Sequence, residues 1–159
     1  MPDLTIAQRL SAHPRYQARP GEARQDPETG DVWRRIYKAW IRERDLGIVV
    51  DGWDPGWFGR DLTRALAAGP MDDPATNGGL LAAVREVWIA DDCFVRKTVD
   101  LNGTCWVVES WIVRGRMDEA AGGYTAHGVP AVLGPDELGK RAATEHDALC
   151  AAVLAGLEW

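Results

Sequence analysis

The sequence predicts an α+β fold: a small antiparallel sheet built on a hairpin over 93–113, with helices over 74–89 and 144–157 packed on one face. Three observations carry this. Leu80, Leu81, Val84, Val87 and Trp88 form an apolar stripe at helical spacing behind Asp73-Pro74. Leu149, Cys150, Val153, Leu154 and Leu157 form a second stripe behind Thr144. Between them, two β-rich runs flank Asn102-Gly103, the preferred pair for a two-residue type I′ turn.

From the amino end, residues 4–12 read as a short helix with Leu4, Ile6, Ala7 and Leu10 on its apolar side. His13-Pro14 ends it, because proline pushes the preceding residue out of the α region. Residues 15–30 carry Pro20, Gly21, Pro27 and Gly30 and read as loop, with a short strand near Tyr16. In 31–46, Trp33, Ile36, Tyr37, Trp40 and Ile41 recur on one helical face, with Asp31 as N-cap and Gly47 just past the end. The aromatic and β-branched content of 32–41 supports a strand instead, but its alternation is poorer, so helix is preferred. Gly47-Ile48-Val49-Val50 reads as a short buried strand.

Residues 51–58, DGWDPGWF, form an aromatic loop, and 60–68 one or two helical turns stopped by Gly69-Pro70. Asp73 caps the 74–89 helix and Pro74 suits its first position. With a turn at Asn102-Gly103, paired residues sum to 205, so Arg96 faces Glu109 and Phe94 faces Trp111. Cys93, Val95, Val99, Leu101, Trp106, Val108 and Ile112 then form the core side. Phe94, Arg96, Thr98, Val107, Glu109 and Trp111 form the other, and Cys93 and Cys105 fall on opposite faces. Residues 115–143 are rich in Gly and Pro, with one strand around 124–132. Thr144 and Asp147 resemble a capping box that opens the last helix.

At 159 residues, 46% hydrophobic and 26% charged, the chain is expected to be one ordered domain, 1–159. Its apolar runs are too short for a membrane span. Asp3, Arg9, His13 and Arg15 interrupt any signal-peptide core, so a cytoplasmic location in a bacterial host cell is expected. Fifteen Arg against three Lys, with two Asn, fits a GC-rich bacterial or phage genome. A net charge of −6 disfavours general binding to phosphate backbones and suits a basic or nucleic-acid-binding protein partner, or simply solubility. Cys93, Cys105 and Cys150 lack paired zinc spacing, and His13, His127 and His146 are scattered. No metal, cofactor or disulfide is expected.

No GxGxxG, P-loop, GxSxG or HExxH occurs. Four clusters remain as candidates for chemistry. Asp91-Asp92 fits a metal or acid–base pair, but neighbours on an extended chain point apart, and a solvated loop is simpler. Asp51 and Asp54 beside Trp53 and Trp57 fit a sugar or cation site, or a loop plugging the core edge. His127 and His146 fit a general base, though neither has a partner at a telling spacing, and His146 belongs at a polar helix border. Arg34, Arg35, Lys38, Arg42 and Arg44, interleaved with Trp and Tyr, fit nucleic-acid contact or the solvated back of a helix. The stretch 31–45 nets +2, leaving −8 on the remainder.

Eight Trp exceed what so small a domain can bury fully. Trp111 with Phe94, flanked by Arg96 and Glu109, makes a protein-contact patch, or a surface covered by the N-terminal segment or the 51–58 loop. The candidate partner-binding set is Phe94, Arg96, Glu109, Trp111, Trp53 and Trp57.

The run DPATNGGLLAAVREVW, residues 73–88, resembles a segment of small proteins encoded in phages and prophages of GC-rich bacteria, which carry DPAT-x-G-x-LL-x-x-VREAW. Those proteins also open on a short helix, have a Pro-Gly loop like Pro20-Gly21, and close on a helix begun by Thr-Glu, as at Thr144-Glu145. The resemblance implies a mobile-element setting and carries over no functional residue. The expectation is a non-enzymatic phage-type accessory protein that binds a protein partner, an anti-CRISPR-like inhibitor being one concrete form. The alternatives are a small hydrolase using the 51–58 carboxylates with His127, and a nucleic-acid-associated module using Arg34–Arg44.

Overall fold

A computed structural model describes residues 3–43, 59–90, 92–110, 117–118, 123–124 and 136–158. Their elements run α1 (Ile6–Ala12), β1 (Ala23–Gln25), β2 (Val32–Ile36), β3 (Ala39–Arg42), α2 (Gly59–Ala68), α3 (Pro74–Trp88), β4 (Phe94–Asp100), β5 (Gly103–Ser110), β6 (Met117–Asp118), β7 (Gly123–Tyr124), β8 (Asp136–Glu137) and α4 (Glu145–Glu158). This is the predicted α+β class. The chain divides into two compact units, Met1–Gly79 and Leu80–Trp159, and α3 runs across the division.

In the first unit, α1 opens with a full capping box. Thr5 Oγ1 accepts the Gln8 N–H at 3.1 Å, and Gln8 Oε1 accepts the Thr5 N–H at 2.8 Å. The sheet order is β1-β2-β3, antiparallel throughout. Over its described part the helix expected over 31–46 is therefore replaced by two strands, with 44–46 outside the described residues, and the strand expected near Tyr16 lies instead at Ala23–Gln25. The reason is the turn. Tyr37-Lys38 forms a two-residue loop closed by the Ile36–Ala39 pair, and so splits the run whose aromatic spacing mimics a helical face. Helix α2 ends as expected at Gly69. Its φ of +85° favours glycine, and an added Cβ would lie 2.3 Å from the Ala7 carbonyl oxygen.

Helix α3 begins where the sequence places it. The Thr76 N–H donates to Asp73 Oδ1 at 2.7 Å, an N-cap bond, with Pro74 first in the helix. Leu80, Val84 and Trp88 are buried, while Leu81 and Val87 are half-buried. The helix closes with Ile89 at φ +51°, the Ile89 N–H on the Glu86 carbonyl at 3.3 Å and the Ala90 N–H on the Arg85 carbonyl at 3.0 Å. This is a Schellman closure with a β-branched residue in glycine's place.

In the second unit, β4 and β5 pair with a register sum of 203, from Phe94–Glu109 to Asp100–Gly103. The turn thus sits one residue earlier than expected. Type I′ needs positive φ at both central residues, but of Asn102 and Gly103 only Gly103 has it, at +111°. Asp100 Oδ1 accepts the Asn102 N–H at 2.7 Å and holds Leu101-Asn102 as the turn. A shift of two in the sum preserves the faces, so Cys93 and Cys105 do lie on opposite sides. It does not preserve the predicted core. Val99 and Leu101 are exposed, whereas Cys105, Val107 and Glu109 on the other face are buried. β5, the middle strand of β4-β5-β8, is buried on both faces from Val107 to Ser110, whereas β4 is an edge strand and its turn end is exposed.

Helix α4 packs on β4 and β5. Thr144 Oγ1 accepts the Asp147 N–H at 3.1 Å as the expected cap. His146 is buried, not at a polar border, because α4 buries nearly its whole circumference, ten residues in all. Trp88 Nε1 donates to the Ala152 carbonyl at 2.8 Å. Gly156 makes room for that indole, since a Cβ there would lie 3.0 Å from Trp88 Nε1. Of the strand expected around 124–132, only Tyr124 is described, paired through β7 with Met117 on β6. The 47–50 strand, the 51–58 loop, Asp91, Trp111 and His127 lie outside the described residues.

Candidate functional site

The arginine–tryptophan interleaving of 33–42 has an internal explanation. The register places Arg24, Trp33 and Arg42 in one row across β1, β2 and β3, and Arg35 opposite Trp40 in the next. Alternate residues of a strand share a face, so these five side chains form a checkerboard on one side of the sheet. Guanidinium groups lie over rings: Arg24 and Arg35 over Trp40 at 5.4 and 5.7 Å, Arg42 over Trp33 at 5.9 Å.

The cations are also paired. Arg24 is buried with Glu22 at 2.6 Å, and its Nη1 donates to Ser11 Oγ on α1 and the Leu66 carbonyl on α2. Tyr16 Oη donates to the same Glu22 carboxylate at 2.6 Å. Arg34 donates to Asp73 at 2.7 Å, Glu43 at 2.8 Å and the Gly21 carbonyl at 2.6 Å. The Asp73 hydrogen bond, against the opposing effect of burial, holds the guanidinium above its ordinary pKa. Burial pushes the Asp73 carboxyl up, but hydrogen bonds from Thr76 and Arg34 outweigh it and leave it lowered. Arg42 faces Asp31 at 3.7 Å. Of the residues offered for nucleic-acid contact, Arg34 and Arg42 are thus held inside the fold, Arg35 is half-buried against Trp40, and Lys38 is exposed.

A separate carboxylate cage closes the β1–β2 connection. Asp26 is fully buried and accepts from Arg64 at 2.9 and 3.1 Å, from the Glu28 N–H and from Thr29 Oγ1. The Arg64 bond holds its carboxyl well below the usual range, and Asp26 in turn raises Arg64.

The patch expected on the second hairpin is partly assembled. Arg96 and Glu109 sit diagonally, not directly opposite, and form a fork of 2.6 and 3.1 Å. Glu109 is buried, while the Arg96 side chain is 47% exposed. The Glu109 bond raises the Arg96 pKa. What this face offers to solvent is therefore the Arg96 guanidinium with half-buried Phe94. Trp111, Trp53 and Trp57 fall outside the described residues.

Asp92 and His146 are engaged within the fold. Ser110 Oγ donates to Asp92 Oδ1 at 2.5 Å. Cys150 Sγ lies 3.7 Å from His146 Nε2, and both residues are buried. All three cysteines are free and buried, and burial pushes the Cys93 and Cys105 thiols up. Among the described residues no group of three or more His, Cys, Asp or Glu is placed to hold a metal ion. Among them, too, no helix is long and apolar enough to cross a membrane.

The exposed apolar side chains are the feature that sequence reasoning missed. Ile36 and Tyr37 end the β2–β3 hairpin, and Val99 (74% exposed) and Leu101 (105%) end β4–β5. Hairpin ends are ordinarily polar. The signal was available as an apolar residue in or beside each turn, but it is readable only once the turn itself is located correctly. Tyr37 at φ +60° and Ile89 at +51° each carry roughly 1–2 kcal/mol of left-handed backbone strain. Comparison with models of known families, with curated proteins and with solved structures finds no match.

Proposed function

We propose that the protein acts by binding a protein partner, and that the β4–β5 hairpin is a principal contact element. One observation carries this reading: Val99 and Leu101 project apolar surface from the end of a hairpin whose base is firmly packed, with Cys105, Val107 and Val108 buried. Apolar side chains held on a rigid support and open to solvent are what an interface needs as anchors. Arg96, exposed but fixed by Glu109, adds a preorganised polar contact on the flank.

The charge balance supports a basic partner. Leu80–Trp159 holds seven Lys and Arg against twelve Asp and Glu, so most of the net −6 belongs to the unit that carries this hairpin. The resemblance of 73–88 to phage and prophage segments supports a mobile-element setting, in which the partner belongs to a host complex and inhibition of a defence system is one concrete form. A tagged protein incubated with bacterial host lysate tests the reading. A single stoichiometric protein is the expected result. Substrate turnover with no retained partner would replace binding by the hydrolase alternative, and retention of nucleic acid alone would replace it by the third.

A further inference from the structure

The end of the β2–β3 hairpin presents Arg35, Ile36, Tyr37 and Lys38. Tyr37 takes the first position of the two-residue loop at φ +60°, a conformation that glycine adopts without strain. The strain is not offset by packing, because the residue is 83% exposed. Ile36 beside it is exposed as well. Arg35 is steadied over the Trp40 ring and donates to the Tyr37 carbonyl at 3.1 Å, and Lys38 is exposed. The acid that lies opposite Arg35 in this sheet, Glu22, is buried and paired with Arg24. The hairpin end therefore offers an exposed aromatic and a branched aliphatic side chain, with one exposed cation, Lys38, and one half-buried cation, Arg35, beside them.

Resting on the protein-binding reading above, we propose that this end is a second contact element, and that its occupant is an acidic segment of a protein partner, apolar at its centre and rimmed by Asp or Glu. Charge complementarity selects the rim, and exposed Ile36 and Tyr37 select the apolar centre. Tyr and Arg are the side chains that most often anchor protein interfaces. Two cations release few counterions, too few for a phosphate-driven site, and the single Tyr37 ring is no platform for successive bases.

The test uses the full chain labelled with nitrogen-15 and three probes followed by amide shifts. The probes are a short peptide alternating Asp and Glu with Leu and Phe, the same peptide with Lys and Arg replacing the acids, and oligothymidylate. The acidic peptide is expected to shift the amides of 35–38 and to bind Tyr37→Gly about tenfold more weakly. The thermal midpoint of Tyr37→Gly is expected to rise by a few degrees as strain is relieved, roughly the scale of ~1 kcal/mol in a domain of this size. Preferential shifts of 35–38 by the basic peptide or by oligothymidylate overturn the proposal, as does unchanged acidic-peptide binding by Tyr37→Gly. So does the absence of any shift at 35–38. Shifts confined to 99–104 overturn this contact element while leaving the protein-binding reading intact.

Discussion

The two hairpins β2–β3 and β4–β5 share a topology and differ in what holds them. Both are antiparallel, both turn through two residues, and both end in exposed apolar side chains. One face of β2–β3 alternates arginine and tryptophan, with Arg24 paired to Glu22 and Arg42 to Asp31. The base of β4–β5 is mainly apolar, with Val107 and Val108 buried on opposite faces of the middle strand. The difference teaches that an arginine-rich stretch is no guide to a surface. A guanidinium can be buried when each of its nitrogens finds an acceptor and it lies over an indole, as Arg24 does.

The sharpest way to break the comparison is Arg24→Met. It leaves the Glu22 carboxylate buried without its cation and should cost ~3–5 kcal/mol. Adding Glu22→Leu should recover much of that loss, because an apolar pair of similar volume avoids burying any charge. Urea denaturation of both variants checks this. A wild-type midpoint for Arg24→Met would mean that the face is not held by ion pairing.

The same contrast explains what the sequence could show. Helices α3 and α4 and the β4–β5 hairpin follow from apolar periodicity, caps and a turn pair, all of which are local signals. Asp73 and Thr144 make the cap bonds expected of them. The register of β4–β5 was out of reach because Asn-Gly serves two turn geometries, and the choice lies with Asp100 Oδ1 and the φ of Gly103. The β2–β3 hairpin was misread because Trp33, Ile36, Tyr37, Trp40 and Ile41 fit a helical face as well as they fit two strands around Tyr37-Lys38. What decides between them is the turn at Tyr37-Lys38 together with pairing to β1, and that pairing is non-local. The candidate site was legible in one respect, the Arg96–Glu109 pair, and illegible in another. Nothing local says that Glu109 is inside while Leu101 is outside.

In the apolar hairpin the corresponding test is Val107→Ala, which removes two methyl groups from a fully buried site. It should cost ~2 kcal/mol through lost transfer energy and a residual cavity. Its cost should be insensitive to pH, and parallel denaturation curves at neutral and acidic pH measure that.

The ion-paired unit should instead be sensitive to acid. Asp26 is depressed in the fold, so its contribution to stability is full above its unfolded pKa of about 4. It is lost as pH falls from there through the folded value. The stability gap between wild type and Arg64→Met should thus be constant near neutrality and close below about pH 4. A gap that stays constant into strong acid would show that Arg64 acts through packing alone.

The smallest expected effect on stability belongs to the exposed hairpin end, and there the largest effect on function is expected. Val99→Ser with Leu101→Ser should change the unfolding free energy by no more than ~0.5 kcal/mol, since neither side chain is buried. The most direct test of the protein-binding reading is capture of the host partner by this double variant beside the wild type, at equal concentration and with the fold verified. Capture reduced by about tenfold or more is the expected result. Undiminished capture by the folded double variant would contradict the assignment of the β4–β5 hairpin as a principal contact element.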